Sequence, residues 1–71
     1  MLSVKGTEIQ VGDRMYVGSS FRRTEIVAVE HGQLPLDARL PGLAFRYADV
    51  RTADGEMWRC WGRLYYRVQR S

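Results

Sequence analysis

Cysteine and histidine occur once each in this chain of 71 residues, and lysine is nearly missing, since ten of the eleven basic residues are arginine. A single cysteine, Cys60, cannot close an internal disulfide. With His31 as the only other soft ligand, a tetrahedral zinc site has too few donors. No stretch approaches the ~18 consecutive apolar residues of a membrane span. Residues 1–10 carry Lys5 and Glu8 and hold no apolar run of signal-peptide length, so a cytoplasmic protein without a membrane partner is expected. Phosphate-binding glycine loops and catalytic spacings are also missing, and no cofactor is expected.

What remains must fold as one domain over residues 1–71. A chain this short buries only ~60% of the surface its unfolded form exposes, so its stability is marginal. Without disulfide or metal, the sources left are a compact aromatic core, self-association as a homo-oligomer, or docking on a partner.

Alternation places the strands. Ile9 and Val11 are two apart, then Gly12-Asp13 interrupts, and Met15 and Val17 are two apart again, which suggests an extended entry, a turn and a strand. Residues 2–10 form either a loose end or a short strand of their own. Gly18 to Arg23 reads as a loop with its basic pair exposed. Thr24 to Glu30 is rich in β-branched residues and forms the second strand. Its apolar groups fall on both faces, Ile26 and Ala28 on one and Val27 and Val29 on the other, as in a strand buried on both sides or an edge at a subunit contact. Pro35, Pro41, Gly32 and Gly42 exclude a helix or central strand from about 31 to 43. The leucines there suggest an ordered loop folded back over the domain.

Ala44–Arg51 and Glu56–Trp61 then form a hairpin that holds both tryptophans and the cysteine. A two-residue turn at Asp54-Gly55 would pair Arg51 with Trp58. A three-residue loop, Ala53-Asp54-Gly55, instead sets Val50 opposite Trp58, Asp49 opposite Arg59, Ala48 opposite Cys60 and Tyr47 opposite Trp61. The second register matches apolar with apolar and acid with base, so it is preferred. It predicts a core face of Ala48, Val50, Trp58 and Cys60. The outer face carries Tyr47, Asp49, Arg51, Met57, Arg59 and Trp61. Beyond a short 3₁₀ turn near Gly62, Arg63–Val68 alternates as a closing strand, with Leu64, Tyr66 and Val68 on one side and Arg63, Tyr65 and Arg67 on the other.

Five short strands, a Gly-Asp near the start of the first and a tight Asp-Gly hairpin resemble an all-β, five-stranded SH3-like small barrel. The opening Val11-Gly12-Asp13-Arg14-Met15-Tyr16-Val17 is similar to that of KOW and Tudor-type members. In Tudor domains an aromatic cage reads methylated side chains; the resemblance offers Tyr16, Phe21, Tyr47 and Trp61 for that role. Plasmid-type dihydrofolate reductases share a Gly-Asp-Arg opening, but their Val-Gln-Ile-Tyr signature is absent here. The fold alone carries no function.

Catalysis needs a nucleophile, acid or base held against a partner. His31 reads as a capped loop histidine beside Gly32, Cys60 as a small buried hydrophobe, and Asp49 as the cross-strand partner of Arg59. An enzyme is the weakest class. Arginines interleaved with aromatics are the stronger signal, and Tyr47, Arg51, Met57, Arg59, Trp61, Arg63 and Tyr65 form the candidate binding set. These are residue types enriched at protein interfaces and among their hot spots. Arginine also neutralises phosphate, and aromatic rings stack on unpaired bases. A net charge of only +3 favours a protein partner, with an accessory or inhibitory factor as the expected role. RNA or single-stranded DNA binding through the same surface is the alternative.

Overall fold

The computed structural model describes residues 1–18, 22–35 and 44–70. Among the described residues, six strands are present in place of the expected five, arranged in two antiparallel sheets of which neither closes on itself. Strand β1 (Leu2–Lys5) settles the question left at the start of the chain, pairing with β6 (Tyr65–Val68) so that Leu2 faces Val68 and Val4 faces Tyr66. A 3₁₀ turn, Gly6–Glu8, follows β1, and Lys5 N–H donates to the Glu8 carboxylate at 2.8 Å. The second sheet has the order β2 (Arg14–Met15), β3 (Thr24–Pro35), β4 (Ala44–Thr52) and β5 (Met57–Trp61). Arg14 and Gln69 exchange two backbone hydrogen bonds of 2.9 and 2.8 Å, which tie β2 to the residue just past β6 and join the two sheets.

The core lies between the sheets. Val4, Ile9, Met15, Val17, Ile26, Ala48, Val50, Cys60 and Val68 are buried, and Val29 and Tyr66 pack against them. In β6 the alternation holds for Tyr66 and Val68, whereas Leu64 precedes the strand and is exposed. The turn near Gly62 is closed by Leu64 N–H donating to Trp61 C=O at 3.1 Å, while the 3₁₀ segment sits at Gly6–Glu8 instead.

Three local expectations are corrected. First, β3 does not end at Glu30 but runs to Pro35, so His31–Pro35 pair with Ala44–Ala48 as strand and not as loop. Pro35 is tolerated because it ends the strand. Residues 36–43, where Leu36, Leu40 and Leu43 were expected to fold over the domain, lie outside the described residues. Second, β3 is not buried on both faces. Ile26 pairs with Thr52 and Ala28 with Arg51, so two residues advance on β3 against one on β4. The bulge at Val27 shifts the parity, placing Ile26 and Val29 inward while Val27 and Ala28 are exposed. Third, the strand expected through Val17 spans only Arg14–Met15.

The Gly12-Asp13 break proves to be a buried anchor. Asp13 N–H donates to Gln10 C=O at 3.1 Å, closing a turn, and the Asp13 carboxylate accepts from Gln10 N–H at 2.9 Å. Arg70 then grips the carboxylate with both arms, Nε to Oδ1 at 2.8 Å and Nη2 to Oδ2 at 2.9 Å. Only 1% of Asp13 is exposed, so its charge is compensated entirely by these partners. The Arg70 hydrogen bonds hold its pKa below the ordinary 3.8 against the opposing effect of burial.

In the hairpin the three-residue loop is present. Thr52 N–H donates to Glu56 C=O at 2.9 Å, and Gly55 N–H donates to Thr52 C=O at 3.0 Å. Gly55 has φ of 92°, a left-handed conformation that a side chain would strain. The buried Thr52 hydroxyl donates to Asp54 and accepts from Glu56 N–H at 3.1 Å. All four predicted cross-strand pairs, from Val50–Trp58 to Tyr47–Trp61, are found, with Arg51–Met57 as a fifth.

Cys60 is fully buried opposite Ala48, and desolvation pushes its thiol up to about 11 from 9.0, with Asp49 adding to the shift. At pH 8 the native protein is therefore expected to resist a thiol-specific reagent, because little thiolate forms and none is accessible. Labelling should appear only on unfolding. Stoichiometric reaction without denaturant would contradict the burial.

Candidate functional site: the outer face of the hairpin

Strand parity puts Phe45, Tyr47, Asp49 and Arg51 on the outer side of β4, and Met57, Arg59 and Trp61 on that of β5. Cross-strand pairing then determines which side chains meet. Trp61 faces Tyr47 and lies beside Phe45, meeting both rings edge to face with centroids 5.7 and 6.3 Å away. Arg59 faces Asp49 and binds it through Nε–Oδ1 at 2.8 Å and Nη2–Oδ2 at 3.1 Å. The same guanidinium lies over Tyr47, with Cζ 3.8 Å from the ring centre and 5.9 Å from that of Trp61. Arg63, in the turn after β5, covers Phe45 at 4.7 Å. The result is a layered row, Arg63, Phe45, Trp61, Tyr47, Arg59 and Asp49.

Tyr47 has this position because of Gly32, its cross-strand partner on β3. A methyl group at Gly32 would collide with the Tyr47 ring, coming within 2.8 Å of Cε1. The bare backbone there lets the ring lie flat across the strand. The electrostatics follow from the pairing: the hydrogen bonds from Arg59 lower the Asp49 pKa and raise that of Arg59. Both groups stay ionised throughout the neutral range, and the pair carries no net charge.

Of the predicted set, Tyr47, Arg59 and Trp61 form one cluster, and Arg63 reaches it through Phe45. Arg51 and Met57 sit at the turn end of the same face, where Arg51 Nη2 approaches Met57 Sδ at 3.8 Å. Tyr65 does not join them. It is carried by β6, opposite Lys5 on the other sheet, and is exposed. Of the cage residues suggested by resemblance, Tyr47 and Trp61 meet, the Tyr16 ring is covered by Arg23 at 5.3 Å, and Phe21 lies outside the described residues. His31 is an exposed strand residue opposite Ala48.

The two tryptophans reverse their expected burial. Trp58 has the inward parity assigned to it, yet it is 48% exposed, whereas the outward Trp61 is only partly exposed. The reason is position. β5 is the edge strand of its sheet, so the Trp58 indole projects past the core and covers the turn at Gly18, whose Cβ position lies 3.4 Å from its ring. Trp61 is instead enclosed by Phe45, Tyr47 and Arg59. Phe45 and Gly32 were missed by sequence reasoning. Phe45 was discoverable, being two residues from Tyr47 on the same strand face, but Gly32 was hidden once residues 31–43 were read as loop.

Among the described residues, no group of three His, Cys, Asp or Glu side chains could hold a metal ion. Among them also, no helix is long and apolar enough to cross a membrane. Compared with known proteins, the chain matches no family model, no curated protein and no solved structure.

Proposed function

We propose that this chain is a non-catalytic binding module, built as an SH3-like small barrel, that docks on a larger protein as an accessory or inhibitory factor. The observation that carries this reading is the Arg59 arrangement. Its guanidinium is already fixed between the Asp49 carboxylate and the Tyr47 ring. Side chains held in place before binding lose less conformational freedom when a partner arrives, which leaves more interaction energy for affinity. On the same face lies the exposed Met57. Tryptophan, tyrosine, methionine and arginine are the types that anchor protein interfaces. The barrel reading is supported by the Arg14–Gln69 link between the sheets and by the long β3–β4–β5 meander.

Nucleic-acid binding through this same face is the weaker reading, because Asp49 neutralises the arginine at its centre. A phosphate would have to compete with a carboxylate already in place. The test is affinity capture followed by titration of the purified partner against wild type and the double variant Arg59→Ala, Trp61→Ala. Loss of about 100-fold in affinity is expected, since each hot-spot truncation costs roughly tenfold or more. Equal affinity of the double variant would overturn the assignment.

A further inference from the structure

We propose that the end of the molecule centred on Arg46 binds single-stranded nucleic acid, at a site beyond the Arg59–Asp49 centre of the hairpin face. Three concavities meet at Arg46. One of about 280 Å³ is lined by Phe45, Trp61 and Leu64, with Arg46 and Arg63 at its sides. A second, also about 280 Å³, is lined by Lys5, Thr7, Arg46, Gly62 and Arg63. The third, about 420 Å³, adds His31 and Gln33 on the other side of Arg46. Among the described residues, no carboxylate lines any of them.

The contrast with the rest of the surface is one of charge balance. Arg59 and Arg70 are neutralised by Asp49 and Asp13. Among the described residues, no salt bridge engages Lys5, Arg46 or Arg63; the last only covers the Phe45 ring. The modest net charge therefore hides a local concentration of three cations that form no salt bridge among the described residues. Backbone hydrogen bonds fix their spacing. Gly62 N–H donates to Arg46 C=O at 2.7 Å, and Gly6 N–H donates to Leu64 C=O at 3.1 Å, so β4, the 61–64 turn and the segment after β1 are fastened together.

Cations beside an apolar aromatic cleft match the two parts of an unpaired nucleotide. Phosphates are attracted by Lys5, Arg46 and Arg63, and a base stacks in the cleft against Phe45 or Trp61. An acidic peptide would satisfy the charges but fills the cleft only where an aromatic side chain falls beside its carboxylates, whereas every nucleotide carries both a ring and a phosphate, which favours nucleic acid. Stacking accepts any base, so weak sequence preference is expected.

Trp58→Phe leaves Trp61 as the single tryptophan, and its emission then reports occupancy of the cleft. The variant is titrated with a thymidine oligomer of about ten nucleotides, and with the uridine equivalent, at 50 and 200 mM salt. Quenching is expected, with affinity falling about 15-fold over that range, because three cations on a single strand give a log–log slope of roughly −2. Arg46→Glu in the same background should weaken binding at least tenfold, and Lys5→Glu should weaken it in the same direction. Protection of Cys60 from thiol reagent verifies that each variant is folded. Arg14→Ala, which removes a cation that lines none of these concavities, should leave oligomer binding unchanged and so separates this site from general charge attraction. Salt-independent or absent binding would overturn the proposal, as would equal affinity of the folded Arg46→Glu and Lys5→Glu variants. Polyglutamate displacing the oligomer at equal concentration would also overturn it and reassign the site to acidic protein.

Discussion

Arg70→Ala is expected to lower the melting temperature by about 15 °C at pH 7, from the cost of stranding a buried carboxylate and the entropy of melting of a domain this small. The Arg70 side chain is 30% exposed, so loss of its own contacts, including a 3.3 Å hydrogen bond to Glu8 C=O, adds a smaller part of the effect. The larger part arises at Asp13, which is 1% exposed and would be left with a single hydrogen bond, from Gln10 N–H. The pH dependence separates this account from simple loss of packing. In wild type Arg70 holds the Asp13 pKa below the ordinary 3.8. That contribution is fully present above about pH 4 and fades as pH falls through the depressed folded value. Without Arg70, burial opposes ionisation of the carboxyl with only the Gln10 hydrogen bond against it, so the variant is penalised most when Asp13 is ionised. The gap between the two melting temperatures should therefore narrow steadily from pH 7 to pH 3. A gap independent of pH would show that Arg70 acts through packing alone.

Gly6→Ala should cost about 3 kcal/mol, at the upper end for an inserted methyl, because the atoms it meets cannot move aside. A Cβ at Gly6 would lie 2.6 Å from the Cys60 carbonyl oxygen and 2.7 Å from the Trp61 carbonyl carbon. Both belong to the backbone of β5, which is held by β4 on its other side. Relief requires parting the 3₁₀ turn from β5, with loss of the Gly6–Leu64 hydrogen bond. Chemical denaturation should show the loss directly. Because Lys5 and Thr7 line the Arg46 concavities from this segment, oligomer binding should weaken in the same variant. Stability within 1 kcal/mol of wild type would mean that the turn does not pack this closely on β5.

Both positions show how far local sequence carries. The hairpin was legible because its register is decided by neighbours in sequence: loop length, a glycine in the left-handed region and the pairing of Asp49 with Arg59. Asp13 was half legible. Its parity with Met15 and Val17 puts it on the buried face, but its compensating cation lies 57 residues away, and no local pattern points to Arg70. The bulge at Val27 was invisible as geometry, although its symptom, apolar residues on both faces of one strand, was read and explained otherwise. Trp58 illustrates a different limit. Alternation gives the direction of a side chain, whereas its burial depends on whether the strand is central or at an edge, and strand order is a property of the whole sheet.

That distinction also bears on the candidate site. Tyr47, Arg59 and Trp61 were identified by type and parity, and cross-strand pairing brings them together. Tyr65 satisfied the same criteria but belongs to the other sheet. Arg46 escaped notice as a separate feature because its inward parity points past the core to an open end, where it meets Lys5 and Arg63 from two other segments.

The central claim is that the Tyr47–Arg59–Trp61 cluster is a surface prepared for a partner and not part of what holds the fold together. Denaturant unfolding of the Arg59→Ala, Trp61→Ala double variant, followed by Trp58 emission and by labelling of Cys60, tests it most directly. A cooperative transition, a protected Cys60 before it, and loss of partner binding under the same native conditions are expected. A double variant already unfolded in buffer, with Cys60 open to reagent, would show that the cluster is core and would contradict the account.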